Sequence, residues 1–152
     1  MKYMVRFAGI LAVLAALLYN TPMHSAGQSG AIYVGDSGCL AACHKTQTDS
    51  FRENIHNNAY TDLAASKLFR DSKEKGAETR CYTCHTTGYE KAGGFTDIET
   101  TPHLAKVGCE GCHGPGSVHA ALSASDVAGK KAAIELKPDC GGCHLIHSHT
   151  DD

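Results

Sequence analysis

Cys109-Glu110-Gly111-Cys112-His113-Gly114-Pro115-Gly116-Ser117-Val118-His119 sets two histidines six residues apart, on either side of a Gly-Pro-Gly reversal. The first follows directly on a Cys-x-x-Cys pair, and that pattern recurs along the chain. The eight cysteines fall into pairs, Cys39/Cys43, Cys81/Cys84, Cys109/Cys112 and Cys140/Cys143, and a histidine follows each second cysteine: His44, His85, His113 and His144. Disulfides are the plain reading of paired cysteines in an exported chain, and zinc ribbons that of Cys-x-x-Cys. Neither requires the histidine. With histidine at 10 of 152 positions, chance would fill all four places only about twice in 100,000 trials.

Covalent haem does require it. Two thioether bonds fix the porphyrin to the cysteines, and the adjacent histidine is held beneath the iron as its proximal ligand. Three motifs have the regular Cys-x-x-Cys-His spacing, while Cys39-Leu-Ala-Ala-Cys43-His44 carries one extra residue. Beside three regular copies, the longer one reads as a fourth attachment site, so the expected cofactor is four covalently bound haem c groups.

The ends and the composition set the context. Lys2 and Arg6 precede an apolar run of twelve residues, Phe7 to Leu18, and small residues follow at Ser25, Ala26 and Gly27. This is the form of a cleaved secretory signal, too short to span a bilayer, which takes about 20 apolar residues. Residues 1–26 are therefore expected to be a signal peptide and 27–152 a tetrahaem domain, located in the periplasm or outside the cell. Removing Lys2 and Arg6 takes the formal charge from −2 to −4. That offers no basic face to nucleic acid, and no second apolar run suggests a membrane span. Met1, Met4 and Met23 leave with the signal.

The mature chain lacks Trp and holds few Phe, too little large apolar surface to offset its conformational entropy unaided. Apolar macrocycles would fill the middle. The expected fold is mainly α with extensive loops and little or no β, a small multihaem cytochrome c fold wrapped around a packed haem stack. The spacing of Phe51, Ile55, Ala59, Leu63 and Leu68 predicts helix over 45–69. Ser117 is placed to cap a helix running to Leu122, and 127–136 reads as another. Gly93-Gly94 and Gly141-Gly142 read as loops or close backbone approaches to a ring.

With methionine gone, the second axial position of each iron falls to histidine, to a weaker ligand or to none. His56, His103, His119, His147 and His149 remain for up to four positions. Bis-histidine ligation lacks the methionine that raises potential, so low potentials are expected. His113 is pinned to one face of its own haem, and His119 cannot readily reach the opposite face. The Gly-Pro-Gly turn can instead aim it at a different haem packed alongside, joining the two.

Tyr33-Val34-Gly35, Cys43-His44-Lys45, the run Phe51-Arg-Glu-Asn-Ile-His56-Asn-Asn-Ala-Tyr60, Cys81 to Tyr89, the Gly93-Gly94-Phe95 loop and Val107 to Gly116 together resemble the cytochrome c-554 family. The resemblance covers residues 33–144. It implies a periplasmic electron carrier with four closely packed haems, in which His56 is the distal ligand of the His113 haem and His119 that of the His44 haem. The second haem of the family's type member lacks a protein ligand on its distal side; here His103 stands where it could supply one to the His85 haem, or it is a loop histidine. The family's fourth haem takes its distal histidine from a C-terminal extension. Here His147 and His149 are available but tethered close behind His144, on the proximal side, with at most ~10 Å of chain to His147.

These features predict a carrier of single electrons between redox partner proteins rather than a catalyst. Two alternatives stand beside it. A haem enzyme would reduce a small nitrogen compound at an open iron. A subunit of an extracellular haem filament would self-associate through its C-terminal end, His147 or His149 of one chain ligating a haem of the next.

Overall fold

The computed structural model describes residues 30–40, 43–134 and 140–145. The signal segment and His147 and His149 lie outside the described residues. Within them, every regular element is helical and no strand occurs, as the mainly-α expectation had it. The helices are α1 (Asp36–Leu40), α2 (Lys45–Phe51), α3 (Ala59–Ala65), α4 (Lys67–Glu74), α5 (Thr79–His85), α6 (Cys109–His113), α7 (Ser117–Ala121), α8 (Val127–Ala132) and α9 (Gly141–His144). Single 3-10 turns lie at Ile55–Asn58 and Pro102–Leu104. The longest described helix, α4, has 8 residues. Helices this short are unstable alone, so loop contacts and whatever they enclose must hold them.

The continuous helix expected over 45–69 is broken into pieces. Asn54 is extended, with ψ 141°, and its side chain accepts the N–H of His56. Ser66, at ψ 146°, ends α3 and caps α4 by accepting the N–H of Phe69. Short polar side chains that bond nearby backbone compete with helix continuation, and here they prevail over the apolar spacing. Ser117 is also placed differently from its expected capping role. It is the first residue of α7, and its hydroxyl accepts the N–H of Ile32 at 2.9 Å. Asp126 caps α8 through the N–H of Gly129 at 2.9 Å.

The described apolar core is small: Leu63, Phe69, Phe95, Leu104 and Ala133 are buried. The scarce aromatics gather around it. Tyr82 lies 5.2 Å from Phe95 and 5.3 Å from Tyr89, and Tyr60 lies 5.6 Å from Phe95. Edge-on and tilted contacts of this kind add to what burial alone contributes. The cluster joins α3, α4 and α5 and so fixes the floor beneath Cys81, Cys84 and His85.

Thr87, buried at the end of that floor, ties in the remaining loops. Its N–H donates to Leu104 O at 3.0 Å and its hydroxyl to Lys106 O at 2.7 Å, while Phe95 N–H donates to Thr87 O at 2.9 Å. Gly93-Gly94 is a close backbone approach, with Gly94 packed onto another stretch of backbone. A Cβ at Gly94 would collide with the Gly88 carbonyl. On the other side, the Lys106 ammonium pairs with Asp36 at 2.7 Å, and Asp36 also accepts the N–H of Cys109 at 3.1 Å. That links α1, which carries Cys39, to α6, which carries Cys109.

Candidate haem-binding site

In each regular motif the cysteines and histidine occupy one helical turn. Cys81, Cys84 and His85 end α5; Cys109, Cys112 and His113 form most of α6; Cys140 precedes Cys143 and His144 in α9. Positions i, i+3 and i+4 share a helix face. Both sulfurs and the imidazole are therefore offered to the same side, as attachment of a flat macrocycle from one face demands. In the longer motif Cys39 belongs to α1, and His44 stands at the start of α2.

No disulfide joins any of the eight cysteines. No group of three or more His, Cys, Asp or Glu among the described residues could hold a metal ion unaided. The zinc-ribbon alternative therefore finds no assembled ligand set there.

Thiols of different motifs nevertheless meet. Cys39 and Cys109 share a hydrogen bond that holds Cys39 below the ordinary thiol value and, with burial, pushes Cys109 up. The Cys112 thiol is pushed up by burial first and then by neighbouring Cys140. The first and third attachment points are thus in contact, and the third and fourth are close.

The histidines form facing pairs. His44 and His119 have ring centroids 6.0 Å apart with planes inclined at 29°, and His56 and His144 are 5.8 Å apart at 79°. Each pair joins one histidine from a cysteine motif to one from outside. A metal gripped by two imidazoles at about 2.0–2.1 Å from each nitrogen would hold the ring centres roughly 6 Å apart. Plain aromatic contact also tolerates such distances, so the second ring nitrogen decides.

His119 Nδ1 donates to Lys130 O at 2.8 Å, His56 Nδ1 to Asn54 Oδ1 at 2.9 Å, and His85 Nδ1 to Ala59 O at 3.0 Å. In each case the acceptor is an oxygen, so Nδ1 carries a proton, and in the neutral ring Nε2 is then the nitrogen that can ligate a metal. That is how metal-ligating histidines are oriented and made more basic. The donor set fits haem iron.

His103 sits in the Pro102–Leu104 turn, exposed, with its ring edge against the backbone of Gly35. A Cβ on Gly35 would lie 2.7 Å from His103 Cδ2, and φ there is +76°, a left-handed value that favours glycine. His56 is set against His144, whereas the family resemblance assigned it to the His113 haem. Asn54, Lys130 and Glu110 were not singled out from the sequence. Only Asn54 carried a legible signal, as a short polar residue two positions before a candidate ligand.

Short strandless helices that present paired free cysteines beside iron-ready histidines define a c-type cytochrome. The family model for cytochrome c554 and c-prime matches residues 39–114, and the chain belongs to that family. Its members are electron-transfer cytochromes carrying covalently bound haem c. Cytochrome c-554 of Nitrosomonas europaea is 27% identical over 157 residues, covering 88% of this chain and 66% of that protein, so the chain spans slightly less than two thirds of its relative's length. No solved structure matches. The matched segment contains the first three motifs; Cys140, Cys143 and His144 lie beyond it.

Proposed function

We propose that the protein is an exported tetrahaem c-type cytochrome that passes single electrons between redox partner proteins in the periplasm or outside the cell, with residues 1–26 removed as a signal. Cys39/Cys43, Cys81/Cys84, Cys109/Cys112 and Cys140/Cys143 attach the haems, and His44, His85, His113 and His144 are the proximal ligands. His119 is the distal ligand of the His44 haem and His56 that of the His144 haem. The distal positions of the His85 and His113 haems fall to His103, His147 and His149. Bound haem supplies a one-electron iron couple; the chain attaches, orients and insulates it.

The observation that carries this reading is the two facing histidine pairs, each joining a motif histidine to a non-motif one at about the separation a shared metal imposes. The contact between Cys39 and Cys109, and the nearness of Cys112 to Cys140, support close packing of three of the four haems. With His56 serving the His144 haem, the fourth iron has a ligand within its own chain, which favours the carrier over a filament subunit. Among the described residues no helix is long and apolar enough to cross a membrane.

Intact mass of the mature chain, exported from a host with haem-attachment machinery, tests the count. Four haems are expected. Three would exclude the Cys39–Cys43 motif, and none would end the reading. Binding of nitric oxide or cyanide by the native protein would reveal an open iron and favour the enzyme alternative.

A further inference from the structure

Glu110 lies inside the third attachment motif and is 1% exposed. It has no cationic partner in any described ion pair. Among the described residues its carboxylate accepts only backbone N–H groups: Gly116 at 2.6 Å, Gly35 at 2.7 Å and Val34 at 3.1 Å. The Gly-Pro-Gly reversal closes over it, and a Cβ at Gly116 would sit 3.0 Å from Oε1. The other acid in this region, Asp36, is neutralised by Lys106. Peptide dipoles satisfy the oxygens of Glu110 without cancelling its charge, so a net negative charge stays at the junction of α1 and α6. Cys109 is its neighbour in sequence, Cys39 lies four residues beyond Gly35, and the two thiols touch.

We propose that Glu110 sets the reduction potentials of the two haems attached through Cys39 and Cys109, its buried charge stabilising their oxidised, more positive irons and holding both potentials down. The inference rests on those cysteines carrying haem. Reduction removes one unit of positive charge from an iron, so a fixed anion nearby opposes it. At an effective dielectric of about 20, a unit charge about 12 Å from an iron shifts its redox equilibrium roughly tenfold. A carboxylate serving only to tie the Val34–Gly35 segment to the turn would have the same bonds but lie too far from the irons, or too well screened, to shift them measurably.

Potentiometric titration of the fully loaded protein separates the two roles. In Glu110→Gln, two haem transitions should rise by about tenfold in their reduced-to-oxidised ratio, 59 mV for a one-electron couple, with the others unmoved. Glu110→Asp keeps the charge while shortening the reach, so it should lose stability yet hold its potentials within about threefold of native. Unchanged potentials in a fully loaded Glu110→Gln protein overturn the proposal, as does an equal rise in both variants. If Glu110→Gln fails to retain its haems, native protein with isotope-labelled glutamate carboxylates replaces it. Its reduced-minus-oxidised infrared spectrum should then show a labelled carboxylate band that titrates with two haems, and a spectrum without one overturns the proposal. Peptide mapping keeps the two levels apart: unmodified Cys39 and Cys109 in the native protein reject the haem assignment beneath the proposal, whereas attached haem with flat potentials rejects the proposal alone.

Discussion

His119 and Lys130 hold each other twice: His119 Nδ1 donates to the Lys130 carbonyl at 2.8 Å, and the Lys130 ammonium donates to the His119 carbonyl at 2.8 Å. One bond sets the tautomer of the ring, and the other fixes the backbone that carries it. Together they join α7 to α8 and hold the ring that packs against His44. Removing the ring should leave the haem count intact and convert one haem from low to high spin. His119→Ala is therefore expected to gain one high-spin signal in electron paramagnetic resonance at full haem mass, and an unchanged spin state would exclude His119 as a ligand. Lys130→Met keeps the carbonyl acceptor and loses only the ammonium bond, so it should cost about 1 kcal/mol of stability and stay low-spin.

His56 is oriented through a side chain rather than the backbone. Asn54 Oδ1 accepts both its N–H at 3.0 Å and its Nδ1–H at 2.9 Å. Asn54→Ala should then cost about 1 kcal/mol as a lost cap and also make the ligand less basic, raising the potential of one haem. His56→Ala should convert one haem to high spin, and nuclear magnetic resonance of the variant should place the change at the His144 haem. A change at the His113 haem instead would restore the assignment that the family resemblance suggested.

Gly94 packs its backbone onto the Gly88 carbonyl with no room for a Cβ. Gly94→Ala must push apart two backbone segments beside the aromatic cluster, and a loss of about 3 kcal/mol is expected, as for other overpacked sites. Thermal unfolding of the loaded protein measures it. A change below about 0.5 kcal/mol, the usual range for open surface sites, would show that the loop yields freely.

The aromatic cluster makes a pH prediction. Burial raises Tyr82 from the ordinary 10.0 to about 12, reinforced by Tyr60 and other neighbours, and burial also raises Tyr60 and Tyr33. A folded value above the unfolded one means that these neutral phenols contribute their full stability below about pH 10. That stability is lost as pH climbs through the folded values, for Tyr82 toward about 12. Denaturant midpoints should fall between those limits, and Tyr82→Phe should show a shallower fall. Identical alkaline profiles in the two proteins would mean that Tyr82 does not couple ionisation to folding.

Which residues could attach haem was legible in the sequence, because covalent attachment needs neighbouring groups on one helical turn, and such a requirement leaves a fixed local spacing. The three regular pairs with their histidines carry that spacing and stand as candidates, and Cys39, Cys43 and His44 carry a version one residue longer. The scarcity of large apolar residues likewise implied a small protein core. Helix length was not legible: Asn54 and Ser66 broke the predicted 45–69 helix through local bonds that apolar periodicity does not register.

Pairing was decided only by the tertiary structure. His56 and His144 are 88 residues apart in the chain, and nothing local to either selects the other; loop contacts through Thr87, Lys106 and Val107, whose N–H donates to His56 O at 3.0 Å, hold the His56 segment in place, and its ring meets that of His144 edge-on. Glu110 shows the same division. As a letter between two cysteines it reads as an ordinary charged loop residue, and it becomes a buried anion only because Val34, Gly35 and Gly116 converge on it from distant segments. Covalent chemistry acts on neighbours in sequence and so marks the sequence, whereas ligation and electrostatics act through space and are settled by the fold.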